Sequence, residues 1–125
     1  MVFCIEIKSV SRQAGSRTKI AVYSPDPEVD AIGACIAQCC ITLNKVEAIF
    51  AFTETGGTAK RIGKFRPSAP IIACTNTPET CRRLSYYWGV YPVITEYVND
   101  VDDSDIIATK VAHELEIKNG SNIIL

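Results

Sequence analysis

Apolar residues recur at three- and four-residue intervals from Val29 through Ile32, Ile36, Cys39 and Cys40 to Leu43. That spacing follows the turn of a helix and predicts one amphipathic helix. Ser24-Pro25-Asp26-Pro27 introduces it, with Asp26 as N-cap, Pro27 at the first helical position and Asn44 near its end. The pattern then changes. Residues 48–52 (AIFAF) form a continuous apolar run, too short for a helix and without alternation, as expected of a strand covered on both faces. Residues 70–74 (PIIAC) and 90–94 (VYPVI) repeat it, and residues 123–125 start a fourth strand after the turn signal Asn119-Gly120. Helices are predicted between them at about 57–65, 78–88 and 103–118. Strands alternating with helices call for right-handed crossovers, hence an α/β fold: a mostly parallel sheet between two helical layers, a three-layer α/β/α sandwich. Residues 1–23 carry the weakest pattern and are expected to be a connecting arm, leaving 24–125 as the domain.

Composition narrows the function. At 125 residues and 47% hydrophobic, the chain fits one domain and cannot hold a complete catalytic barrel of about 250 residues. Thirteen basic and fourteen acidic residues leave a formal charge of -1, so nothing drives the whole surface toward nucleic acid or an anionic membrane. Any anion site must be local. No apolar run reaches the roughly 20 residues of a membrane span, and Glu6 and Lys8 interrupt the apolar start, so a cytoplasmic protein is expected. No pair among Cys4, Cys35, Cys39, Cys40, Cys74 and Cys81 has C-x-x-C spacing, and these thiols are expected to be small buried hydrophobes in a reducing compartment. His113 lies beside Glu114 in a helical segment without ligand-spaced partners. The acidic run Asp100, Asp102, Asp103 and Asp105 lacks the glycine and terminal glutamate of a calcium loop and suits the start of the following helix. Tyr86, Tyr87, Trp88 and Tyr91 are expected to pack between helix and sheet, with an interface anchor as the alternative.

Ligands of open α/β sheets bind outside the carboxyl ends of the strands. Thr53, Thr75 and Thr95 follow the first three apolar runs, either as a shared row of hydroxyls or as local caps. The first strand end is the richest: Thr53-Glu54-Thr55-Gly56-Gly57-Thr58-Ala59 leads into a helix carrying Lys60, Arg61, Lys64 and Arg66. Outward amides at a helix start, glycines that admit close approach and threonine hydroxyls all suit a phosphate. The loop is neither a Walker loop nor a G-x-G-x-x-G turn, and a plain turn capped by Thr55 or Thr58 accounts for the residues equally well. If it is a cradle, Gly56→Val is expected to block the ligand and spare the fold, and Glu54→Lys to tighten binding.

The stretch TETGGTAKRIGKFRPSAPIIACTNTPETCRRLSYYWGVYPVIT, residues 53–95, resembles the heart of the pyruvate kinase C-terminal domain. That family carries a T-x-[ST]-G-x-[ST]-A loop, a K-[YF]-R-P-x-[AS]-P-I-[IL]-A segment and a G-V-x-P strand, in this order and spacing. The flanking helix SPDPEVDAIGACIAQCCITLN and the end DVDDSDIIATKVAHELEIKNGSNIIL are similar to its opening helix and its last helix and fourth strand. The resemblance implies a regulatory and assembly domain on a five-stranded mixed sheet, order 3-2-1-4-5, with the fifth strand antiparallel. It also implies that Thr53, Glu54, Thr55, Gly56, Gly57 and Thr58 cradle one phosphate of an allosteric effector, usually fructose 1,6-bisphosphate. Glu54 stands where activator-responsive members have lysine, and Gly57 replaces a larger or basic residue. The chain ends at Leu125, so the last strand, the loop closing over the sugar and the catalytic barrel are expected to be missing, leaving the fourth strand as an open edge.

On this resemblance the chain by itself is inactive. Transfer between phosphoenolpyruvate and ADP in glycolysis, with Mg²⁺ and K⁺, belongs to the barrel and lid domains, and no cofactor is expected in this chain. The implied partners are a sugar bisphosphate or phosphate effector, the rest of a pyruvate kinase polypeptide, and further copies in a homo-oligomer, with no nucleic acid and no membrane. The alternatives are a free-standing phosphometabolite-binding module and a degenerate structural domain. A receiver-type signalling domain shares the strand and helix rhythm, but it needs an acidic pocket that Thr53, Thr75 and Thr95 do not supply.

Overall fold

The apolar runs fold as parallel strands with both faces covered, and the periodic segments fold as the helices that cover them. A computed structural model describes residues 27–43, 45–98 and 101–125. In chain order the elements are α1 (Pro27–Thr42), β1 (Val46–Phe52), α2 (Gly57–Lys64), β2 (Ile71–Thr75), α3 (Pro78–Leu84), β3 (Val90–Ile94), α4 (Val101–Glu114) and β4 (Asn122–Ile124). The sheet order is β3-β2-β1-β4, parallel throughout. The arm at 1–23, the Asp26 cap and Asp100 lie outside the described residues.

Strand alternation divides the core in two. Ile49, Ala51, Ile71, Ala73 and Val90 meet Ile36 and Cys40 of α1, Ile62 of α2 and Leu84 of α3 on one face. Ala48, Phe50, Ile72 and Cys74 meet Ala108 and Val111 of α4 on the other. Helices α2 and α3 step the chain from β1 to β2 to β3; α4 then carries it back across the opposite face to set β4 beside β1. The order therefore reverses at β1. Its carboxyl end is where an open α/β sheet offers a crevice.

Several boundaries differ from those predicted. β1 begins at Val46, because its first residue pairs with Asn122 across an irregularity before Ala48. β2 extends through Thr75, which is buried within the strand. The main correction concerns the aromatic run. Helix α3 stops at Leu84, and Tyr86, Tyr87 and Trp88 form a turn in which the Tyr87 amide donates to Leu84 O (3.0 Å) and the Val90 amide to Tyr87 O (3.3 Å). Tyr86 and Trp88 are 91% and 68% exposed, and Tyr91 is exposed too. Leu84 and Val90 occupy the slot between helix and sheet instead, and four large rings have no room there. Cys40 and Cys74 are buried as expected, but Cys35 faces solvent because α1 packs its other side on α2 and the sheet.

Pro92 interrupts the edge strand β3 at no cost to pairing. The Ile71 amide bonds Gly89 O and the Thr95 amide bonds Thr75 O, so odd-numbered β3 residues donate to β2 and position 92 faces the open edge. Helix α4 closes with the Glu116 amide on His113 O (3.1 Å) and the Ile117 amide on Ala112 O (2.9 Å). This is a Schellman ending with glutamate, at φ 57°, in the position that favours glycine. Ile117 then packs against the α4 face of the core. Asp103 and Asp105 lie near the start of α4, and His113 is exposed in its last turn.

Candidate functional site

The loop from Thr53 to Gly56 leaves β1 at the reversal of strand order. The Thr53 amide donates to Cys74 O (2.9 Å), prolonging the ladder, and Thr53 Oγ1 accepts the Gly56 amide (2.8 Å), which closes the loop on itself. Gly56 is the N-cap of α2 in the left-handed region, at φ 86° and ψ 0°. A Cβ there would lie 3.0 Å from Leu84 Cδ2, in the middle of the buried core. Backbone conformation and packing thus both require glycine. The expectation that Gly56→Val would spare the fold is corrected by this geometry. Gly57 is free of it: a Cβ would meet only Thr55 Oγ1, at 3.7 Å.

No side chain caps α2. The amides of Gly57, Thr58 and Ala59 open the helix with no carbonyl behind them within it, and the Lys60 amide is the first to bond back, to Gly56 O (3.2 Å). The carbonyls on the other side of the loop are held by α3. Thr80 Oγ1 donates to Glu54 O (2.9 Å), and Arg83 Nη2 donates to Thr55 O (2.9 Å) and lies 3.3 Å from Thr80 Oγ1. In a trans peptide the C=O and the next N–H point in opposite directions. Carbonyls turned toward α3 therefore turn the Thr55 amide away from it.

The row of strand-end threonines does not form a shared hydroxyl site. Thr75 Oγ1 accepts the amide of Thr77 (3.2 Å) and Thr53 Oγ1 that of Gly56, so both cap their own turns, and Thr95 continues the ladder through its amide to Thr75 O (2.9 Å). Three of the basic residues on and just after α2 also point elsewhere. Lys60 Nζ stands 4.8 Å over the Tyr87 ring, Arg66 lies 5.5 Å over Trp88, and Lys64 pairs at 3.5 Å with the buried carboxylate of Asp30. Arg83 is a cation in contact with the loop, and the sequence had not singled it out. Its signal was the spacing of Thr80, Arg83 and Leu84, one helical face meeting Glu54, Thr55 and Gly56 in turn.

Beneath the loop, Cys74 ends the β2 run with its thiol pushed up to about 12 by burial, so it stays protonated and is no nucleophile. Among the described residues no three His, Cys, Asp or Glu side chains come together to hold a metal ion. No described helix is long and apolar enough to cross a membrane.

The sequence pattern of the family described as "Pyruvate kinase, alpha/beta domain" matches residues 30–125, which takes in the sheet, the loop and α3. The chain belongs to this family. Pyruvate kinase of Staphylococcus saprophyticus is 41% identical over 111 residues, covering 87% of this chain and 18% of that protein. Pyruvate kinase of Methylorubrum extorquens is 42% identical over 89 residues, 70% of this chain and 18% of that one. The crystal structure of Cryptosporidium parvum pyruvate kinase superposes with a TM-score of 0.70 at 30% identity, covering 86% of this chain and 21% of that chain. The fold is thus that of the pyruvate kinase C-terminal α/β domain, and the chain spans about a fifth of the relatives' length. A second pattern, "NusA-like first KH domain", matches residues 4–49. Its described part is α1 and the first half of β1, central in the pyruvate kinase sheet, and 4–49 contain no G-x-x-G turn with which KH domains clamp nucleic acid.

Proposed function

We propose that this domain serves allosteric control in a pyruvate kinase, with Thr53, Glu54, Thr55, Gly56, Gly57 and Thr58 receiving one phosphate of a sugar bisphosphate such as fructose 1,6-bisphosphate. The observation that carries this is the uncapped start of α2, reached through a left-handed glycine and preceded by carbonyls already held on the far side. Amides at such a helix start attract an anion through direct hydrogen bonds and the helix dipole. Glu54 is exposed on the loop and opposes a phosphate, and Arg83 beside it offsets that charge. Phosphoryl transfer, with Mg²⁺ and K⁺, is assigned to a separate catalytic domain of the same enzyme.

Contact with other domains or copies is the second half of the proposal. It is supported by the exposed rings of Tyr86, Trp88 and Tyr91 at the β3 edge.

Thermal unfolding with fructose 1,6-bisphosphate, and with inorganic phosphate as control, tests the phosphate site. A ligand at 100 times its Kd adds about 2.7 kcal/mol to stability. Gly57→Glu supplies the control variant, because a carboxylate in the first turn favours the helix and repels a phosphate. A melting temperature raised by the bisphosphate in the parent chain, and unmoved by it in Gly57→Glu, is the expected result. No rise at millimolar ligand would overturn the phosphate assignment.

A further inference from the structure

We infer that Thr80 and Arg83 of α3 are positioning residues for the β1–α2 loop: they fix its peptide planes so that its amides, and not its carbonyls, face a bound phosphate. The inference rests on the phosphate assignment above for its purpose, and on the hydrogen bonds alone for its geometry.

Three residues of one helical face hold three successive loop residues. Thr80, 3% exposed, donates through Oγ1 to Glu54 O at 2.9 Å. Arg83, one turn on, donates through Nη2 to Thr55 O at 2.9 Å and reaches Thr80 Oγ1 at 3.3 Å. Leu84, fully buried, fills the space in front of the Gly56 Cα. The Thr53 side chain already holds the Gly56 amide, and with it the Thr55–Gly56 peptide, which Arg83 grips a second time at its carbonyl; the Glu54–Thr55 peptide is held at its carbonyl by Thr80. Were the Glu54–Thr55 peptide to flip, its carbonyl oxygen would replace the Thr55 amide hydrogen on the ligand side and repel the anion. The hydrogen bond within the loop holds the other peptide, so the restraint on this one comes from Thr80. Arg83 adds a fixed positive charge at the loop without itself being required to touch the ligand.

The test compares Thr80→Val, Thr80→Ser and Arg83→Met with the parent chain, using exchange of the two hydrogen-bonded amides of the loop and helix start, Gly56 and Lys60, and titration with inorganic phosphate and fructose 1,6-bisphosphate. Valine matches threonine in shape and lacks the hydroxyl, whereas serine keeps it. Thr80→Val is expected to speed loop exchange and weaken bisphosphate binding, each about five- to tenfold, as for one lost hydrogen bond. Thr80→Ser is expected to restore both. Arg83→Met, at an exposed position, is expected to do the same to exchange and binding with the melting temperature nearly unchanged. Loop exchange unchanged in both Thr80→Val and Arg83→Met would overturn the inference, whatever the ligand does. If the parent chain binds neither ligand, the phosphate assignment falls, and exchange still decides whether α3 sets the loop.

Discussion

The two adjacent glycines of the loop should respond to alanine with opposite signs. Gly56 sits at φ 86°, where a residue with a Cβ pays about 1–2 kcal/mol for the left-handed conformation. Its Cβ would also approach Leu84 Cδ2 to 3.0 Å and Leu84 Cγ to 3.3 Å. Leu84 is fully buried between α3 and the sheet, so it yields only by disturbing its neighbours, at about 1–3 kcal/mol for an overpacked core. The narrower unfolded ensemble of alanine returns about 0.4–1 kcal/mol. Gly56→Ala is therefore expected to destabilise by about 1–4.5 kcal/mol, or roughly 4–18 °C in melting temperature for a chain of this length. Gly57 begins α2 with open space around its missing Cβ, and Gly57→Ala is expected to stabilise by up to about 0.5–1 kcal/mol.

Urea and thermal unfolding of the two variants measure this difference directly. The steric part can be separated in a Leu84→Ala background, where Gly56→Ala should retain only its backbone cost. If Gly56→Ala proves as stable as Gly57→Ala, the left-handed cap and its contact with Leu84 are refuted, and with them the geometry assigned to the loop.

Two further perturbations address the core and the end of α4. The Cys74 thiol, raised from 9.0 to about 12 by burial, remains neutral in the folded chain while it ionises in the unfolded one above its ordinary value. Its contribution to stability is therefore constant below pH 9 and lost as pH rises from 9 toward 12, so the gap between the parent chain and Cys74→Ala should narrow over that window. Iodoacetamide at about pH 8 should alkylate the exposed Cys35 and spare Cys74, and equal labelling of the two would contradict the burial. Glu116 holds the left-handed position of the Schellman ending, at φ 57°, and Glu116→Gly should raise stability by about 0.5–1 kcal/mol in chemical denaturation; a loss would show that the glutamate side chain contributes there.

The elements were legible in the sequence because each depends on residues near one another in the chain. The runs AIFAF and IIAC are apolar without alternation since β1 and β2 lie between two helical layers, and the VYPVI strand coincides with β3 at both ends. Boundaries slipped where a distant partner sets them, as when Asn122 draws Val46 into β1. The aromatic run was misplaced because helical spacing and size both suit a core. Only the fold shows that Leu84 and Val90 have already filled the space.

The candidate site divides in the same way. Thr53, Gly56 and Gly57 fall within five residues, and their turn chemistry is written locally: a hydroxyl accepting an amide three residues on, then a left-handed glycine before a helix. The residues that hold the outer side of the loop lie 26 and 28 positions away, and in the sequence only the spacing of Thr80 and Arg83 on the helical face of Leu84 marks them. They become part of the site only because α2 and α3 follow adjacent parallel strands on the same face, which brings the start of one helix beside the side of the next. Of the basic residues that follow the loop in sequence, Lys60 and Arg66 are turned instead toward Tyr87 and Trp88. In this fold the Arg83 charge thus reaches the loop from the neighbouring helix on the same face of the sheet. A substitution in α3 should therefore alter the loop as surely as one within it.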